Sequence, residues 1–248
     1  MKILAVNGSP TTKKGMTHLM LNLFLEGAAE AGAEVERFNV VDKKIRYCDG
    51  CFNCWVRTPG ECIHKDDMPA ILEQVAAADV LILATPLYVD GMTAQMKTFT
   101  DRIIPLVEPE FEMVDGHYRH KSRISNIPSL FLMSVCGFWE MDNFDGLVDH
   151  VKRICKNFQA EYAGELLRPN SYVLAMEELL PKEVPAIHEA IRQAGREFVK
   201  DGKISEETMA AAVAQPIPKE PALQGSNMFW GECRKQKKFL FHHREQTA

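Results

Sequence analysis

The chain has 248 residues, 46% hydrophobic and 25% charged, the proportions of a folded soluble domain rather than of a disordered or fibrous chain. That length buries one sizeable core and leaves material for appendages. A net charge of −5 gives no long-range attraction for nucleic acid or an anionic membrane, so neither is expected as a partner, although basic residues gather from Arg234 to Lys238.

Met1 to Gly8 carries one positive charge and a short apolar run, unlike a secretory signal, and no later run approaches a membrane span. A cytoplasmic protein is expected. Its seven cysteines should then be mostly reduced, and four of them crowd into Cys48–Cys62.

Lys2 to Val6, stopping at Gly8, reads as a strand buried on both faces of a parallel sheet. Thr17 to Ala31 is free of proline, and Met20, Leu23, Phe24 and Ala28 recur at helical spacing before Gly32. Val35 to Val41 reads as the second strand. Asp66 and Asp67 are placed to cap a helix with Pro69 in its first turn, and Val80 to Ala84 follows as the third strand. Met92, Met96, Phe99 and Ile103 form one apolar helix stripe, whose ordinary role is core packing. Asp115-Gly116 between short segments predicts a β-hairpin inserted over residues 108–122. Ser129 to Val135 reads as a fourth strand, Phe144 to Phe158 as a helix, Ala160 to Leu166 as a fifth strand and Lys182 to Lys200 as a helix. Beyond it, Pro216, Pro218 and Pro221 suggest an extended arm carrying Phe229 and Trp230, which could be a loose tail or could dock on a surface. The expected organisation is a main domain over 1–200 and a carboxyl-terminal extension over 201–248.

Alternating strands and helices predict an α/β, doubly wound parallel sheet whose ligands bind beyond the carboxyl ends of the strands. Three loops lie there. The first, Gly8 to Thr17, offers the hydroxyls of Ser9, Thr11 and Thr17, two glycines for close backbone approach and a helix start, which together suit a phosphate. It is neither the dinucleotide G-x-G-x-x-G nor the nucleotide P-loop pattern. Taken alone, Gly-Ser-Pro can equally mark a simple turn.

Asn7-Gly8-Ser9-Pro10 with the loop to Thr17, and Thr85-Pro86-Leu87-Tyr88 through Lys97 and Asp101-Arg102, resemble the NADPH-dependent FMN reductase and flavodoxin-like superfamily over roughly residues 1–165. The resemblance implies a five-stranded sheet of order 2-1-3-4-5 and FMN as cofactor. It assigns Ser9, Thr11, Gly15, Met16 and Thr17 to the phosphate, and Pro86, Leu87, Tyr88, Val89 and Gly91 to the flavin ring and ribityl chain. A third flavin loop is implied at Ser134 to Trp139, with Cys136, Gly137 and Phe138 beside the ring, Cys136 serving as a small packing group. The family more often has Arg after Gly-Ser-Pro and Asn before the threonine, where this chain has Thr11 and Met16.

Cys48, Cys51, Cys54 and Cys62 are spaced C-x2-C-x2-C-x7-C, compact enough for one loop to fold around a metal centre. The spacing resembles that of iron-sulfur flavoproteins, a branch of the same superfamily, which implies a [4Fe-4S] cluster exchanging single electrons with FMN. A zinc staple, free thiols and a redox disulfide use the same residues. His64 reads as a solvated loop residue.

The resemblance implies an oxidoreductase in which NAD(P)H reduces FMN and electrons pass to a small-molecule or protein acceptor. The flavin carries such chemistry, so no catalytic side chain is assigned. A flavodoxin-type electron carrier without its own substrate, and a fold that binds no flavin, are the competing classes. A homodimer or higher homo-oligomer is implied as well.

Overall fold

A computed structural model of the chain describes residues 1–240. The main sheet is built from β1 (Lys2–Asn7), β2 (Glu34–Asn39), β3 (Val80–Pro86), β6 (Ser129–Val135) and β7 (Tyr162–Arg168), all parallel, in the spatial order β2-β1-β3-β6-β7. Between β3 and β6 the chain forms a separate antiparallel pair, β4 (Val107–Val114) with β5 (His117–Ser122). The five sheet strands therefore stand in the expected 2-1-3-4-5 arrangement, the hairpin supplying the two extra strands. Asp115 (φ 49°) and Gly116 (φ 76°) make its turn, the double left-handed geometry that Asp-Gly favours.

The helices are α1 (Met16–Glu30), α2 (Asn53–Val56), α3 (Met68–Ala77), α4 (Ala94–Asp101), α5 (Asp145–Phe158), α6 (Glu183–Asp201), α7 (Glu206–Ala212) and α8 (Lys219–Gln236). Because side chains alternate across a strand, Leu4, Val6, Leu81, Leu83, Leu130 and Leu132 meet α3, α4 and α5 on one face. Phe131 points the other way, stacked on Phe24 of α1 at 5.3 Å and packed on Phe198 of α6 at 4.8 Å. β3, central in the sheet, is buried along its whole length, as its unbroken apolar run requires.

Several boundaries moved. α4 is shorter than the apolar stripe, because Thr93 caps it by accepting the Met96 N–H, so Met92 and Ile103 flank the helix while Met96 and Phe99 lie in it. β7 starts two residues beyond the expected fifth strand. The extended arm is in fact largely α8: Pro218 sits at its N-cap and Pro221 in its first turn, where a missing N–H costs nothing.

Residues 1–213 form one compact unit, and a second begins at Ala214. Within the first, the Ser205 N–H and the Thr208 hydroxyl both donate to Glu197 of α6, which fixes α7. Within the second, Phe229, Trp230 and Phe239 pack ring on ring, centroids 5.3–5.8 Å apart. Among the described residues no helix is long and apolar enough to cross a membrane.

Candidate functional site

At the carboxyl end of β1, Asn7 holds the first loop. Its Oδ1 accepts the Ser9 N–H at 3.0 Å and its Nδ2 donates to Asn39 on β2 at 3.0 Å. Ser9 Oγ and Thr11 Oγ1 are hydrogen-bonded at 3.2 Å, and Ser9 Oγ also accepts the Thr11 N–H at 3.3 Å. The chain then turns through Thr12–Lys14 into Gly15, the N-cap of α1. A Cβ on Gly15 would lie 2.5 Å from Thr11 Oγ1, and one on Gly8 would lie 2.6 Å from the Met96 Cβ, so both positions require glycine for close approach.

No side chain caps the N-terminus of α1 and no acidic residue lies in its first turn, so its N–H groups and dipole remain available to an anion. Thr17 adds the more telling group: its Oγ1 is buried and makes no hydrogen bond. A buried hydroxyl left unpaired costs roughly 1–3 kcal/mol, a cost that a bound acceptor would remove. Met16 is buried in the core, so its backbone alone can face a ligand.

The second loop is tied to the first. Thr93 Oγ1 donates to the Gly8 carbonyl at 2.6 Å, the Thr93 N–H donates to Thr85 Oγ1 at 3.1 Å, and the Gly8 N–H donates to the Ala84 carbonyl at 2.8 Å. Tyr88 and Gly91 exchange backbone hydrogen bonds of 3.0 and 3.2 Å around Val89 (φ 49°) and Asp90 (φ 58°). A fully exposed, β-branched residue in the left-handed region gains nothing from packing, and such strain collects at ligand clamps. Tyr88 is half exposed, not a core residue.

The third loop is joined to the second by the Leu87 N–H on the Val135 carbonyl at 2.9 Å and by Ser134 Oγ on the Thr85 carbonyl at 2.8 Å. From the end of β7, the Ser171 N–H donates to the Cys136 carbonyl at 2.9 Å and the Asn170 N–H to the Phe138 carbonyl at 2.6 Å. Burial pushes the Cys136 thiol pKa up, consistent with a packing role. Pro86 ends β3 inside the core, while Phe138 projects to the surface beside Gly137. Ser9, Thr11, Gly15, Met16, Thr17, Pro86, Leu87, Tyr88, Val89, Gly91, Cys136, Gly137 and Phe138 thus lie at the carboxyl ends of β1, β3 and β6, in three loops of which the second is bonded to both others. The sequence reading missed Thr93, which bonds two of the loops together, and the 168–171 support under the third. Thr93 carried a legible signal as a threonine three residues ahead of Met96.

The cysteine loop lies between β2 and α3. Cys48 and Cys51 are exposed, Cys62 is half-buried and Cys54 is buried, and all four line one cavity with His64 and Arg102. The Gly50 N–H donates to Cys48 Sγ and Asn53 Nδ2 to Cys51 Sγ, both at 3.4 Å. Burial, and then Cys62, Cys48 and Cys51, raise the Cys54 thiol pKa. Among the described residues no three His, Cys, Asp or Glu side chains close on a single-ion site. Phe52 stacks on Trp55 at 5.0 Å, Trp55 packs on His120 of the hairpin at 4.8 Å, and Trp55 Nε1 donates to the Ile104 carbonyl at 3.3 Å. Four thiols around one cavity, with N–H donors already directed at two sulfurs, form a donor set that fits an iron-sulfur cluster.

Two expectations here need correction. Asp66 and Asp67 do more than cap α3. One Asp66 oxygen accepts the Met68 N–H at 3.1 Å, but the other accepts the Arg46 N–H at 3.0 Å, and Asp67 accepts the Lys44 N–H at 2.7 Å without capping the helix. The two carboxylates therefore strap the incoming arm of the cysteine loop to its outgoing arm. His64 is buried, not solvated, with Nε2 3.1 Å from Asp49 Oδ2.

Residues 1–122 match the family model described as NADPH-dependent FMN reductase. Among curated proteins, an iron-sulfur flavoprotein of Archaeoglobus fulgidus is 43% identical over 105 residues, 42% of this chain and 46% of the relative. One of Methanocaldococcus jannaschii is 42% identical over 102 residues, 41% of this chain and 50% of the relative. The matches thus span about half the length of these relatives. Among solved structures, an FMN-dependent NADH-azoreductase of Bacillus anthracis in complex with FMN superposes with a TM-score of 0.60 at 15% identity, covering 80% of this chain and 99% of that one. An NAD(P)H:quinone oxidoreductase of Methanothermobacter marburgensis gives 0.55 at 16% identity, covering 80% and 96%. At these identities the structures speak to the fold alone, which is flavodoxin-like. Residues 1–122 of the chain are thus similar to the NADPH-dependent FMN reductase family and, within it, to iron-sulfur flavoproteins.

Proposed function

We propose that the chain is an FMN-dependent oxidoreductase that takes electrons from NAD(P)H and passes them to an acceptor, with Cys48, Cys51, Cys54 and Cys62 holding a [4Fe-4S] cluster. The observation that carries this reading is the buried, unpartnered Thr17 hydroxyl beside the uncapped start of α1. Ser9, Thr11, Thr17 and the backbone of Gly15 and Met16 would hold the phosphate through neutral donors and the helix dipole. Pro86, Leu87, Tyr88, Val89, Gly91, Cys136, Gly137 and Phe138 would flank the ribityl chain and ring, with the exposed Tyr88 and Phe138 rings available to exclude water from it.

When bound, FMN would supply the exchange between hydride transfer and single-electron transfer. The side chains orient and desolvate it. In the cysteine loop, the Gly50 and Asn53 donors would disperse the charge of the Cys48 and Cys51 thiolates.

The test is an anaerobic preparation with added FMN, analysed for iron, sulfide and zinc and then mixed rapidly with NADH or NADPH. Fast flavin bleaching, with iron and sulfide present in equal amounts, supports the reading. Flavin reduced only through a carrier protein would make the chain an electron carrier, zinc without sulfide would make the cysteine loop a staple, and protein that ignores FMN would sink the proposal.

A further inference from the structure

Arg102 ends α4 and is almost wholly buried, its side chain 1% exposed beside Asp66 at 4%. Its Nη1 donates to Asp66 at 2.7 Å and to the Arg46 carbonyl at 2.6 Å, and its Nη2 donates to Asp66 at 3.1 Å. These contacts account for the fork of the guanidinium but leave Nε, which is buried and has no hydrogen-bond partner. A cation buried with a spare N–H is costly, and the cavity Arg102 lines is the one lined by all four clustered thiols.

We propose that Arg102 is a positioning residue for the four-cysteine site: it presents a cationic N–H donor to the sulfurs lining that cavity and thereby raises the reduction potential of the group those thiolates hold. This rests on the reading of the four cysteines as iron-sulfur ligands. One electron entering such a group adds negative charge to its sulfurs, and a buried donor beside one of them stabilises the reduced form more than the oxidised form. The competing role is purely structural, with Arg102 serving only to neutralise Asp66.

The test loads the full-length protein anaerobically with iron and sulfide and measures the one-electron midpoint potential by mediator titration, with visible absorption and electron paramagnetic resonance as readouts. In Arg102→Lys the charge facing Asp66 remains while the Nε donor is lost. The midpoint should fall so that the reduced-to-oxidised ratio at a fixed potential drops about tenfold, equivalent to ~59 mV for one electron. Asp66→Asn keeps the guanidinium and should not lower the midpoint. Should Arg102→Lys fail to fold, Arg102→Gln combined with Asp66→Asn leaves no buried charge unpaired and should show the same fall. Loaded variants with the wild-type midpoint would overturn the role of Arg102 alone, whereas wild-type protein that takes up no iron and sulfide would overturn the cluster reading and this proposal with it.

Discussion

The loop after β1 and the loop before α3, the two proposed sites, are built by opposite means. The first is an extension of regular structure. Asn7 of the sheet fixes it, Thr93 of the next loop closes it, and the donors it presents belong to a helix start. The second has almost no regular structure beyond the four residues of α2, and it relies on a buried ion pair and two carboxylate straps. The proposed anion site thus draws on the sheet-to-helix crossover itself, whereas the proposed thiol site draws on dedicated anchors. The two sites should therefore fail separately.

The largest expected effect is on the cysteine loop. Cys54→Ala removes the one buried thiol of the four and should abolish iron uptake, while FMN binding stays close to wild type. Loss of both together in iron analysis and flavin titration would show that the sites are not independent. Next is Asp66→Asn, which leaves the buried Arg102 charge without its counter-ion. Breaking a buried pair costs about 3–5 kcal/mol, read as a lowered midpoint in urea unfolding. A cost under ~1 kcal/mol, ordinary for an exposed pair, would deny the strap its role.

Acid should act on the same loop. Burial would raise the Asp66 pKa, but Arg102 and the N–H groups of Arg46 and Met68 hold it below the ordinary value of 3.8. A carboxyl whose folded pKa is depressed contributes stability above its unfolded pKa and loses it as pH falls through the folded one. Proteolysis between Lys44 and Asp67 should therefore accelerate below pH 3.8, before the first loop opens, because that loop's ligand donors include no carboxylate. Simultaneous opening of both loops in a hydrogen-exchange series would break the contrast.

The smallest effect is expected at Val89. Val89→Gly relieves a left-handed β-branched residue and should raise stability by ~1 kcal/mol while weakening FMN binding, the two changes measured by thermal unfolding and flavin titration. A more stable variant with unchanged affinity would mean that the strain does not serve the flavin site.

Much of this was legible in the sequence because local rules and tertiary demands agree. β6 has the bounds read from its apolar run, and Asp115-Gly116 makes the turn that its chemistry dictates. The first loop was visible as glycines and hydroxyls ahead of a helix, though nothing marked Thr17 as the hydroxyl left without a partner. What escaped was non-local. The Asp66–Arg102 pair joins residues far apart in the chain, Asp66 having been read as a helix cap and Arg102 only as part of the family motif. His64 was read as a solvated loop residue, yet the fold buries it beside Asp49. The carboxyl-terminal prolines were read as helix breakers, although two of them lie at the start of α8, where proline is tolerated.

The account turns on a phosphate held by Thr17 and the start of α1, and comparing the affinities of FMN and riboflavin tests it most directly. Wild-type protein should bind FMN far more tightly than riboflavin. In Thr17→Val that preference should shrink by about tenfold or more, the ~1.5–3 kcal/mol of a hydrogen bond to a charged group, with no loss of stability in the flavin-free protein. Equal affinity for the two flavins, or a Thr17→Val variant that keeps the full preference, would contradict it.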